Sequence, residues 1–159
     1  MRRSRQEKYH ERKWFTYRNM NPKNRITSDC VIRAIALGLE QDYNKTLKEI
    51  VEVQLKTGYM IDTKECYGRY LESKGWIKCK QPRWYDNSKW IGREFCDKLQ
   101  QYLGNHEIEG AEWDCGVIIE PRIIANIGGH HITAIIDGKI NDLWDCSEGT
   151  IGNYWIKKR

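Results

Sequence analysis

A cysteine stands at position 30 directly after Thr27, Ser28 and Asp29, three residues whose side chains favour the N-cap, and Val31, Ile35 and Leu39 follow it at helical spacing. That pattern predicts a helix over 28–39, its end marked by Gly38 and the polar Glu40-Gln41-Asp42, with Cys30 in its first turn. The unsatisfied N–H groups and positive dipole end of such a turn favour thiolate over thiol. They also offer a hydrogen bond to an oxyanion forming on a substrate carbonyl. The same residue equally fits as a small buried apolar side chain, and this stretch alone leaves both readings open.

A thiol nucleophile needs a base, and the last third of the chain offers one. The sequences 131–136 (HITAII) and 139–142 (KIND) read as strands joined by Asp137-Gly138, a pair suited to a two-residue hairpin turn. With 137 and 138 as the loop, 136 faces 139, 133 faces 142 and 131 faces 144. Asp142 is then a diagonal neighbour of His131, ~7–8 Å away at the backbone. Residues 131, 133, 142 and 144 share one face, so the carboxylate of Asp142 can reach the imidazole. His130 points to the other face of a regular strand, and His131 is therefore the preferred base.

Taken together, the cysteine at a helix start, the histidine opening a strand and the acid on the next strand resemble the papain-like cysteine peptidases, most closely those that cleave bacteriocin leader peptides. Asp29-Cys30 is similar to the Asp-Cys pair of the leader peptidases. The glutamine those enzymes place six residues before the cysteine, as an oxyanion donor, is replaced here by the shorter Asn24. His131-Ile132-Thr133-Ala134-Ile135 resembles the family's histidine followed by small and branched apolar residues. Asp142-Leu143-Trp144 is similar to papain's Asn-Ser-Trp, and the resemblance implies that Trp144 shields the His131–Asp142 bond. The segment from Ile140 to Trp155 also resembles small proteins encoded in bacteriophage genomes. The ordered pattern spans roughly residues 24–156, with two short specific motifs and a helical insert between them that matches no named family.

The resemblance implies acyl transfer through a thioester: Cys30 as nucleophile, His131 as base, Asp142 fixing its tautomer, and the Cys30 N–H with Asn24 holding the oxyanion. The expectation is a cysteine hydrolase, peptidase or isopeptidase, acting on a protein or peptide. An acyltransferase or deamidase could use the same triad. The rival of another class is a non-catalytic binding or inhibitor protein on the same fold. It would engage nucleic acid or an acidic host partner through a basic arm. Cys115 also follows an aspartate, but a strand rather than a helix follows it, which argues against a nucleophile there.

The elements that must position these groups are legible in outline. Beyond the first helix, Asn44 is a candidate cap for a second, with Leu47, Ile50, Val51 and Leu55 as its apolar stripe and Gly58 at its end. A third helix fits 62–73 with Cys66, Tyr67, Tyr70 and Leu71 buried, and a fourth fits 88–103. Residues 76–80 form a short strand. From Val117 onward β-branched residues dominate, in 117–119, 123–127, 131–136, 139–142 and 154–156. The expected class is α+β and papain-like: a helical N-terminal half, with the nucleophile at a helix start, packed on a C-terminal antiparallel sheet.

The length of 159 residues suits one domain over 14–159, preceded by a basic, mobile arm over 1–13. Residues 1–25 carry nine Lys/Arg against Glu7 and Glu11, a net of +7 that leaves −2 for the rest. Trp14, Phe15 and Tyr17 are expected to pack on the domain, with stacking on bases as the alternative. Mean hydropathy is −0.78 and no apolar run nears the ~20 residues of a membrane span. No signal peptide is visible, so a cytoplasmic location, host cytoplasm for a phage protein, is expected. The six cysteines show no C-x-x-C pair, so free thiols, no metal and no cofactor are expected.

Overall fold

The turn that sets the register of the second half forms as its residues dictate. Asp137 and Gly138 both take positive φ, 51° and 76°, which a two-residue hairpin requires. They pair Ile136 with Lys139, Ile135 with Ile140 and Ala134 with Asn141. The computed structural model describes residues 12–105 and 119–158. Among them the chain is α+β, with four helices and a six-stranded mixed sheet.

The strands are β1 (Phe15–Tyr17), β2 (Trp76–Cys79), β3 (Ile119–Ile127), β4 (His131–Ile136), β5 (Lys139–Asp142) and β6 (Ile151–Lys158). They lie side by side in the order β1-β5-β4-β3-β6-β2. The four C-terminal strands are antiparallel to one another, as expected. Both edges, however, come from the first half of the chain. β2 runs antiparallel to β6, and β1 lies parallel to β5, which makes the sheet mixed. Phe15 is fully buried and Trp14 donates from Nε1 to Asp97 at 2.8 Å, so this segment packs on the domain. Arg12 and Lys13, assigned to the arm, also reach the body, pairing with Asp145 and Asp97. Residues 1–11, with the rest of the expected arm, lie outside the described residues, as do Cys115 and the start of the strand expected at 117–119.

The helices are α1 (Cys30–Leu39), α2 (Tyr43–Thr57), α3 (Lys64–Ser73) and α4 (Gly92–Asn105). They occupy both faces of the sheet rather than one. One core joins α1, α2 and α3 to Ile124, Ile132, Ala134 and Trp155. The other joins Phe95, Cys96 and Leu99 of α4 to Ile123, Ala125, Ile135 and Ile140. Alternation along each strand feeds both cores, since successive side chains point to opposite faces.

Three local expectations are corrected. Asp42, not Asn44, caps α2, accepting a hydrogen bond from the Lys45 N–H. Only Ile50 of the predicted α2 stripe is buried, while Leu55 is 79% exposed. Gly38 does not end α1; a Cβ there would lie 2.7 Å from Ile124 Cδ1, so glycine lets the helix sit close on β3. Glu40, in the left-handed region, caps the helix instead.

Candidate active site

Asp29 occupies the N-cap position of α1, yet its carboxylate makes no cap to the helix backbone. Its oxygens turn inward and accept from Arg33 Nε at 2.7 Å, Tyr43 Oη at 2.8 Å and Asn21 Nδ2 at 3.0 Å. The first-turn N–H groups of α1, that of Cys30 included, are left without a side-chain cap, the state in which a helix start can receive an anion. The carboxyl of Asp29 sits below its usual range: burial raises it, and the bonds from Arg33, Asn21 and Tyr43 outweigh that effect.

At the other end of the site the hairpin brings His131 and Asp142 together as the register requires. His131 Nε2 lies 2.6 Å from Asp142 Oδ2. Asp142 is 1% exposed, and its other oxygen accepts from Arg33 Nη1 at 2.7 Å and from the Leu143 N–H at 2.7 Å. Trp144 stacks over the imidazole, with ring centroids 4.1 Å apart. With Nε2 turned to Asp142, the Nδ1 edge of the ring remains for a second partner.

That partner is a thiol, and two thiols interact with this ring. Cys30 is hydrogen-bonded to His131 and to the Ile132 backbone. Burial pushes the Cys30 thiol up; those bonds, with the charges of His131 and Arg33, more than reverse it and bring it below the ordinary thiol value. Cys146 also bonds to His131, but burial dominates there and the thiol is raised. The structure therefore separates the two, one poised toward thiolate and one held as thiol. Burial lowers the imidazole, and the bonds to Asp142, Cys146 and Cys30 then lift His131 to about 11. Cys30 and His131 together constitute a coupled pair that favours the charged forms.

His130, set aside in favour of His131, is exposed in the turn before β4. Asn24 is placed on the exposed loop ahead of α1 with φ of 53°, and its side-chain oxygen accepts from Asn19 Nδ2 at 3.4 Å. The described hydrogen bonds of that side chain lead to Asn19 rather than to Cys30. His131, Asp142 and Cys146 offer one donor atom each within 4.8 Å of one another, so imidazole, carboxylate and thiol here have the spacing of metal ligands. The five described cysteines are free thiols.

Arg33 is the member of this site that motif reasoning missed. It is 3% exposed and forked between Asp29 and Asp142, so it joins the residue before the thiol to the acid behind the imidazole. The signal was present: α1 reads CVIRAIALGL, and an arginine inside so apolar a helix, four residues after an aspartate, demands a buried partner. Cys146 carried no comparable sign.

Comparison of the chain with protein-family models, curated proteins and solved structures finds no match.

Proposed function

We propose that the chain is a papain-like cysteine hydrolase, a peptidase or isopeptidase that acts through a thioester on Cys30. The observation that carries this reading is the contact between a lowered thiol at a helix start and an imidazole held from behind by a buried carboxylate. Such a unit supplies a nucleophile, a base and an orienting group in the order acyl transfer needs.

In the first half-reaction the Cys30 thiolate attacks the carbonyl carbon, forming the C–S bond and moving the π electrons to oxygen. The α1 N–H groups at Cys30 receive that oxyanion. Collapse of the intermediate expels the amine, which takes a proton from the His131 imidazolium. Water then loses a proton to His131 as it attacks the thioester, the acid is released, and the thiolate–imidazolium pair returns. Asp142 keeps Nε2 protonated and the ring oriented throughout.

The experiment is competitive alkylation by iodoacetamide at pH 6 to 7, with each cysteine followed by peptide mass spectrometry. Cys30 is expected to react at least tenfold faster than Cys66, Cys79, Cys96 and Cys146. Uniform labelling, or preferential labelling of another cysteine, would overturn the reading.

A further inference from the structure

The sheet provides a ruler along which distance from Cys30 can be read. Cys30 takes a backbone hydrogen bond from Ile132 on β4, and Ile132 pairs with Asn126 on β3. Beyond Asn126 lies β6, at the irregularity between the pairs Ala125–Tyr154 and Ile127–Ile151, where Gly152 and Asn153 stand. Adjacent strands are ~4.8 Å apart, so Asn126 is about 5 Å and Gly152 about 10 Å across the sheet from Ile132. Extended peptide advances ~3.3 Å per residue, so 10 Å is the reach of about three residues.

The helical layer repeats this row above the sheet. The phenol of Tyr67 on α3 is raised first by burial and then by the charge of Cys30, and it is hydrogen-bonded to Asn126. One turn back on the same face of α3, Lys64 donates to Asn153 Oδ1 at 3.2 Å. The row thus ends in a cavity of about 350 Å³ whose lining includes Lys64, Gln81, Lys89, Asn126, Gly152 and Asn153.

Its chemistry has one sign. Two amines and three primary amides line it, and no carboxylate does. Lys64 commits one of its three N–H groups to Asn153. Gln81 and Asn153 each commit one amide N–H, to the carbonyls of Ile151 and Cys79, while Asn126 is bonded to both the Gly129 carbonyl and Tyr67. Donors therefore remain for an acceptor with negative charge. Gly152 makes room for this arrangement, because a Cβ there would stand 2.7 Å from Asn126 Oδ1.

We propose that this cavity receives an acidic side chain of the substrate, two or three residues to the acyl side of the bond that is broken. The inference rests on the hydrolase reading. The leaving amine must lie beside His131, which protonates it. A separate cavity, also of about 350 Å³ and bounded by His131, Trp144, Cys146 and Gly128, opens on that flank. The Lys64 and Lys89 cavity, linked to Cys30 through Tyr67 and Asn126, adjoins that flank only at Gly128–Gly129 and Gly149–Thr150, and in this proposal it takes the acyl half.

The test uses three acetyl-X-X-Gly chloromethyl ketones in which X is Glu, Gln or Lys, with the alkylation rate of Cys30 read by mass spectrometry in low salt. The Glu probe is expected to react roughly tenfold faster than the Gln probe, with the Lys probe slowest. The double substitution Lys64→Glu with Lys89→Glu is expected to reverse the order of the Glu and Lys probes. Equal rates for the three probes on the native chain, or a fastest Lys probe, would overturn the acidic specificity. If iodoacetamide still selects Cys30 in that case, the hydrolase reading survives alone. Loss of selectivity toward iodoacetamide itself removes the hydrolase reading and this specificity with it.

Discussion

Arg33 Nη1 donates to Asp142 Oδ1 at 2.7 Å across 109 positions of sequence, both side chains almost wholly out of water. One carboxylate thereby ties α1, which carries Cys30, to β5 and, through its second oxygen at 2.6 Å, to His131 on β4. Burial raises the Asp142 carboxyl, and the hydrogen bond and charge of His131, followed by those of Arg33, bring it below the usual carboxylate range. A thiol and an imidazole on separate layers of the fold are so held in register by an arginine that touches neither of their reacting atoms in the proposed chemistry.

Replacing that arginine tests the arrangement. Arg33→Gln leaves Asp29 buried without a counter-charge and Asp142 with His131 alone, and breaking a buried pair from one side costs about 3–5 kcal/mol. The midpoint of urea unfolding is expected to fall accordingly at pH 7. Arg33→Lys keeps the charge but cannot fork toward two carboxylates, so it recovers only part of the loss. A glutamine variant as stable as the native chain would show that the network contributes nothing.

The pair should leave its mark on pH dependence. The Cys30 thiol lies below its ordinary value and His131 is raised to about 11, so the thiolate–imidazolium form sets in at a lower pH than the thiolate of a free cysteine. Alkylation of Cys30 is expected to level off at a lower pH than that of an ordinary thiol, whose rate climbs tenfold per unit until ~8.5. His131→Ala removes the hydrogen bond and the charge that depress the thiol. Its alkylation at pH 6 should drop more than tenfold and recover the ordinary profile. Superimposable profiles for the two proteins would exclude the coupling.

Stability should follow the same ionisations. Asp142 and Asp29 are depressed in the folded chain, so what they contribute is present above their unfolded value of about 4 and lost as pH falls below it. His131 is raised, so its contribution is full below about 6.5, declines above that and is gone once pH passes about 11. Urea midpoints are expected to be greatest between about pH 4 and 6.5 and to decline on either side. Asp142→Asn should flatten both flanks, since the acid then has no charge to lose and the imidazole no anion to hold it.

The hairpin part of this site was legible because it is local. Asp137-Gly138 fixes the turn, the turn fixes the register, and the register puts Asp142 and Trp144 beside His131. The helix start was legible from Thr27, Ser28, Asp29 and the apolar spacing after Cys30. The helices on both faces were hidden, since the fully buried β3 run at Ile123–Ile127 looks the same whatever covers each face. The parallel pairing of Phe15–Tyr17 with β5 was hidden too, because three residues carry no sign of a partner 125 positions away. Asn24 shows the limit of transferring a spacing: a left-handed backbone at the loop turns the side chain to Asn19. Arg33 was overlooked although its burial followed from its neighbours.

The turn that sets the register offers a last and separate prediction. Gly138 has φ of 76°, and a Cβ on it would overlap Gln100 Cγ and lie 3.1 Å from the Cys96 carbonyl oxygen. Gly138→Ala therefore meets a backbone atom of α4 as well as left-handed strain, and a loss of about 1–3 kcal/mol is expected in urea unfolding. Asp137 also has a positive φ, 51°, but its side chain contributes no hydrogen bond among the described residues, and Asp137→Gly relieves the conformation at some cost in unfolded-state entropy. That change should alter stability by less than about 1 kcal/mol and leave the alkylation rate of Cys30 as it is. Equal losses from the two substitutions would mean that the α4 contact at Gly138 is not what constrains the turn, and that the register of His131 and Asp142 depends on the strands alone.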